Sequence, residues 1–197
     1  MAAILQSLGR TIIAGIILLI LILAIVSGVT GTGPHFDHAW GAFVMRWLHV
    51  VAGIMWIGLL WYFNFVQIPS MPKIPDEQKP AIGKVIAPTA LFWFRWAALA
   101  TVVTGLLVAT MNGYIVAALS LQTPFHAIGI GMWIALVMAF NVWFIIWPNQ
   151  KKALGIVVVE AAEKAAAART AMLTSRINTL LSIPMLYMMV AQQNGGL

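Results

Sequence analysis

A chain of 197 residues that is 62% hydrophobic and 8% charged, with a mean hydropathy of +0.95, cannot be a water-exposed globular domain. Its net charge of +6 comes from a few basic connections between apolar stretches, so a nucleic-acid partner is not needed to explain it. With no cysteine, the chain excludes disulfides, Cys-ligated zinc, iron–sulfur clusters and a covalent c-type haem site of its own.

A membrane helix needs about 20 apolar residues, and stretches near 11–29, 41–66, 91–111, 126–147 and 175–193 meet or nearly meet that length. The first, Thr11 to Val29, exceeds the roughly 7–15 residues of a signal-peptide core and reads as a retained anchor. Arg10 precedes it. Lys73, Lys79 and Lys84 lie in the connection 67–90, and Lys151, Lys152, Lys164 and Arg169 in 148–174, with Arg176 just beyond. The connections 30–40 and 112–125 and the tail 194–197 carry no Lys or Arg. By the positive-inside rule, the sequence predicts an all-α integral membrane protein. It is a single domain of five transmembrane helices, with the N-terminus and the loops 67–90 and 148–174 cytoplasmic and the C-terminus periplasmic. The implied setting is a bacterial inner membrane. Prolines at 72, 75 and 80 punctuate the first basic loop, and Pro148 is expected to end the fourth span. The Ala-rich run 151–169 reads as a helix on the cytoplasmic side, and 112–124 as an interfacial segment or short helix.

Polar groups inside a span are costly and mark function. On the second stretch Arg46, His49, Gly53, Trp56, Leu60 and Gln67 fall at helical spacing on one face, with Asn64 beside it. At its outer end, His49 and His126 of the fourth stretch form a candidate ligand pair for a b-type haem or, as a weaker alternative, copper. Gly53 and Gly129 would leave room for a flat macrocycle, and Arg46 would pair with a propionate. His35 and His38, flanking Asp37, are a candidate accessory metal site or plain loop residues. At the inner end Asn64, Gln67, Arg95, Asn141, Arg176 and Asn178 gather guanidinium forks and amides suited to a planar anionic ligand. The competing reading has the arginines reaching lipid phosphates and the amides joining helices, with no cofactor, in an accessory subunit.

The run Trp47 to Gln67, then Phe92-Trp93-Phe94-Arg95-Trp96, Asn141 to Lys151 and Ser175 to Leu186 resemble, in order through about 40–190, the N-terminal membrane domain of the bacterial membrane-bound urate oxidase family. Fuller members carry a longer membrane domain followed by a cytochrome c domain. The resemblance implies a membrane redox protein or oxidoreductase subunit that passes electrons from a small planar substrate, a purine, into a respiratory chain. This chain has no Cys-x-x-Cys-His, so the expected partners, besides the lipid bilayer, are a separate periplasmic cytochrome c or other membrane subunits.

Overall fold

The computed structural model describes residues 2–196. These residues form helices and no strand, in two compact units, one up to Gly41 and one from Ala42 onward. Four helical stretches are long and apolar enough to cross a membrane: Leu8–Thr30, His38–Lys73, Lys79–Met111 and His126–Ala153.

In the N-terminal unit a helical turn, Ala2–Leu5, precedes α1 (Leu8–Thr30). α1 is almost wholly Ile, Leu, Val, Ala and Gly, and none of its residues is buried. It stops at Gly31, whose positive φ of 68° lets its N–H reach back to the Ser27 carbonyl at 3.0 Å. The next helix, α2 (His38–Trp61), starts in this unit. Asp37 Oδ1 accepts the Trp40 N–H at 2.9 Å, and the Phe36 ring meets Trp40 edge-on at 4.8 Å, so a polar cap and an aromatic clasp fix the start.

The second unit continues α2 and adds α3 (Ala87–Met111), a short α4 (Ile115–Leu119), α5 (His126–Phe140) and the 34-residue α6 (Ala161–Asn194). α6 runs against α5 and its extension. It is not among the four strongly apolar stretches, because Ser175, Arg176, Asn178, Ser182 and Gln192 dilute its apolar portion. α4 occupies the connection 112–125, as one of the two sequence readings expected.

The connection 67–90 is mostly helical, unlike the loop expected there, and the helix expected over 151–169 is present but broken at 154–160. α2 runs on through a π-helical turn, Tyr62–Gln67, to Lys73, and the chain leaves helix only over 74–78. α3 is entered through a π turn at Ile82–Ile86, and α5 passes through one at Asn141–Ile146 into Trp147–Ala153, so Pro148 does not end that helix. Each π turn ends two residues before a proline: Pro69, Pro88 and Pro148. A proline lacks the N–H for the i→i−4 bond and its ring crowds the carbonyl four residues back. Widening the preceding turn to i→i−5 bonding moves that carbonyl aside and lets the helix continue. At the turn 74–78, Lys79 Nζ donates to Asp76 at 2.5 Å and holds this exposed carboxyl below the usual carboxylate range.

Packing is uneven along the bundle. Toward the basic connections Leu60, Phe63, Phe94, Met138, Val142 and Ile146 close into a core at which Phe63 and Phe94 meet edge-on at 5.7 Å. At the opposite end α4 packs on α5, where a Cβ on Gly129 would run into the Ala118 carbonyl oxygen. Gly129 therefore serves this helix contact, not a macrocycle. Gln192 fastens the end of α6 to the start of α5, accepting the Ile128 N–H at 3.2 Å and donating to the Pro124 carbonyl at 3.0 Å.

Candidate functional site

The basic-free half of the second unit encloses a cavity of about 630 Å³, lined from α2, α3, α5 and α6. Ligand pockets typically span about 300–1,000 Å³. α2 supplies Arg46, His49, Gly53 and Trp56, the stripe expected from sequence periodicity.

The His49 ring is fixed against α3. Its Nδ1 lies 2.9 Å from the Thr101 carbonyl oxygen and 3.3 Å from the Thr104 hydroxyl. A carbonyl only accepts, so Nδ1 carries the proton and Nε2 keeps its lone pair. Ligating histidines commonly hold this state, with the far nitrogen donating to a carbonyl. Gly105 makes the approach possible, because a Cβ there would lie 2.8 Å from His49 Cε1. Gly53 has only the Thr101 methyl at 3.9 Å from where a Cβ would be, which leaves space beside the imidazole.

At the mouth, Arg46 Nη1 donates to Gln193 Oε1 at 3.4 Å, a long bond, and makes no ion pair among the described residues. Tyr114, stacked on Phe125 at 5.3 Å, also lines the mouth; burial raises its phenol pKa and nearby Arg46 opposes the shift. The wall opposite α2 is apolar and carries the thioethers of Met132, Met185 and Met189.

His126 opens α5, is exposed and does not line the cavity, so the two imidazoles do not share it. Chain position placed them at similar depth, but the helix face of His126 depends on how α5 packs under α4. His35 and His38 are exposed in the N-terminal unit, beside the capping Asp37. Among the described residues no three His, Asp or Glu side chains gather to hold a metal ion.

At the basic end three of the four amides bond across helices. Asn64 Nδ2 donates to the Leu60 carbonyl at 2.9 Å and to the Ser175 hydroxyl at 2.8 Å. Asn141 Nδ2 donates to Asn178 Oδ1 at 2.8 Å, and Asn178 Nδ2 to the Met138 carbonyl at 2.9 Å. Asn64 Oδ1 and Gln67 Oε1 are buried acceptors with no donor among the described residues, the opposite of what an anion requires. Arg95 stacks on Trp147, its guanidinium carbon 3.8 Å from the ring centroid, and Arg176 is exposed without a hydrogen bond among the described residues. The structure thus brings the four amide-bearing positions to one end and leaves both guanidiniums outside their hydrogen bonds.

Thr101, Thr104, Gly105 and Tyr114 were not singled out in the sequence. The available signal was a Thr-x-x-Thr-Gly run on the third span, which becomes meaningful only once α3 is known to face His49.

Residues 123–195 match the family described as urate oxidase N-terminal. The match covers α5 and all of α6, with His126, Asn141, Arg176 and Asn178, while the part of the resemblance on α2 and α3 lies outside it. No cytochrome c domain is detected in this chain. No curated protein and no solved structure matches it significantly.

Proposed function

For a chain whose residues 123–195 match the urate oxidase N-terminal family, we propose a membrane redox domain that holds a b-type haem in the cavity through His49. The carrying observation is the His49 ring, with Nδ1 committed to the Thr101 carbonyl and Nε2 left to ligate. Arg46 at the mouth, a cation with only a weak amide partner, would pair with a propionate. Gly53 would give the macrocycle room, and the thioethers of Met132 and Met189 on the same cavity would be further donors to the group. When bound, such a haem supplies one-electron transfer. The protein's part is to hold it, keep water out of the apolar wall and neutralise its carboxylates. The substrate class, a small planar molecule such as a purine, follows the family likeness, and a cytochrome c is the electron acceptor in this reading.

The proposed topology has α6 crossing beside α5, giving five spans with the basic connections cytoplasmic and the cavity mouth periplasmic, in a bacterial inner membrane. Its support is the one-sided distribution of Lys and Arg and the packing of α6 along α5.

An optical spectrum of the purified protein, oxidised and then dithionite-reduced, tests the reading. A haem spectrum lost in His49→Ala and kept in His126→Ala supports it; no haem, or loss only with His126→Ala, overturns it. The amide bonds across helices favour a second reading, an accessory subunit whose buried polar groups serve assembly, and a spectrum without any chromophore selects it. Copper, held by His49 and thioethers, is the third reading, separable by metal analysis of the same sample.

A further inference from the structure

On the basic side two cations converge on one indole. Lys151 follows Trp147 by four residues on the same helix face, its Nζ 5.8 Å from the ring centroid, and Arg95 arrives from α3 with its guanidinium carbon at 3.8 Å. The two charges therefore lie within about 10 Å of one another, the Debye length at 0.1 M salt, so they act together on an incoming anion. Arg95 leans toward the basic connection, 5.5 Å from the Phe92 ring one turn earlier, as a long cation does when it reaches from a span to the interface.

Neither charge is answered within the described residues. The ion pairs on this side, Lys79 with Asp76 and Lys152 with Glu163, use other residues, and neither Arg95 nor Lys151 donates a hydrogen bond there. An aromatic face attracts a cation but does not accept its N–H groups as a carboxylate or phosphate does. Both side chains are only half-buried, so their donors are within reach of an incoming group. One turn deeper along the same seam Trp96 meets Trp143 edge-on at 5.3 Å, and Phe92 and Trp96 are exposed. An aromatic wall thus continues from the cations into the span.

We propose that the seam between α3 and the extension of α5 binds one anionic phospholipid, its phosphate on Arg95 and Lys151 and an acyl chain along Trp96 and Trp143. The combination of parts decides the occupant. Two unanswered cations call for a net negative group, and a zwitterionic headgroup brings its own ammonium beside the phosphate, where Arg95 and Lys151 repel it. A soluble anion would use the cations but leave the exposed aromatic wall without a role, whereas an acyl chain covers it. Basic pockets between membrane helices on the cytoplasmic side bind such headgroups. None of these residues lines the His49 cavity, so the site goes beyond the haem reading and stands whether or not a haem is bound.

Native mass spectrometry of the whole protein, released from detergent micelles holding equimolar phosphatidylglycerol and phosphatidylcholine, tests the site. One phosphatidylglycerol should stay bound, preferred over phosphatidylcholine at least about fivefold. Inorganic phosphate and glycerophosphoglycerol, which lack acyl chains, should not displace it. Arg95→Gln and Lys151→Gln should each weaken retention roughly fivefold. Lys79→Gln and Lys152→Gln take the same charge from the chain, but from cations already paired, and should change retention less than about twofold. Lys151 has no hydrogen bond to lose, so its variant decides the matter even if Arg95→Gln fails to fold. Equal loss in all four variants would mean diffuse attraction to net charge and overturn the site. So would equal retention of the two lipids, undiminished binding in Arg95→Gln and Lys151→Gln, displacement by inorganic phosphate, or an acidic polypeptide carried in the lipid's place.

Discussion

At the residue scale, His49 takes its role from neighbours on another helix. The ring must lie flat on α3 for Nδ1 to reach the Thr101 carbonyl, and only a glycine at 105 allows this. Gly105→Ala is expected to push the imidazole off its carbonyl, an overpacking cost of about 1–3 kcal/mol. If His49 holds a haem as proposed, that haem should then dissociate faster, while Thr104→Val, which removes only the longer 3.3 Å contact, should retain it. Haem-transfer kinetics on the two variants check this, and equal loss would show that the hydroxyl, not the carbonyl, holds the ring. The asparagine pair obeys a different rule. Asn178→Ala deletes two buried bonds and strands the Asn141 amide, whereas hydrogen bonds between membrane helices average only about 0.6 kcal/mol when both partners are removed. Asn178→Ala should therefore destabilise by about 1–2 kcal/mol, and a double change to Leu at 141 and 178 should recover part of it. Unfolding in mixed micelles measures both.

At the element scale, a π turn amounts to one residue inserted into an α-helix. Asn141–Ile146 has such a residue in excess, so deleting lipid-exposed Phe144 should convert the turn to ordinary α-helix and keep the faces on both sides. Deleting Val137, equally lipid-facing but within regular helix, should rotate everything beyond it by about 100° and separate Asn141 from Asn178. Thermal melts in detergent should show the first deletion within a few degrees of wild type and the second strongly destabilised. Comparable damage from both would mean that the widened turn is itself required. The same turns explain why prolines that look like helix ends in the sequence are passed through: each lies two residues beyond a segment whose carbonyls have already been displaced.

At the scale of the whole molecule, charge sets orientation and packing sets where the void lies. A reporter fused at the C-terminus should be active only when exported, and one inserted at 74–78 only in the cytoplasm. A cytoplasmic C-terminus would mean that α6 lies along the surface rather than crossing, and the five-span reading would fail. The bundle is filled near the basic connections by Leu60, Phe63, Phe94 and Val142, and hollow at the opposite end, where the cavity beside His49 lies. In a membrane, lipid tails solvate apolar side chains as well as protein does, so no hydrophobic force closes such a gap. A ligand-sized void can therefore persist between helices.

The sequence by itself determined the all-helical class, the membrane setting, the sidedness of charge and the α2 stripe of Arg46, His49, Gly53 and Trp56. These follow from apolar run length, Lys and Arg placement and the 3.6-residue period, which need no partner helix. It also placed Asn64, Asn141 and Asn178 at one end, because depth along a span is read from chain position. Only the tertiary structure decided which faces met. It put Thr101 and Gly105, rather than His126, beside His49, bonded Asn141 to Asn178 and Asn64 to Ser175 instead of to Arg95 or Arg176, and left the cavity among α2, α3, α5 and α6. The physical reason is rotational: chain position fixes how deep a side chain lies, but its direction in the bundle depends on helix packing and on π turns that shift register by one residue, and neither leaves a periodic mark in the sequence.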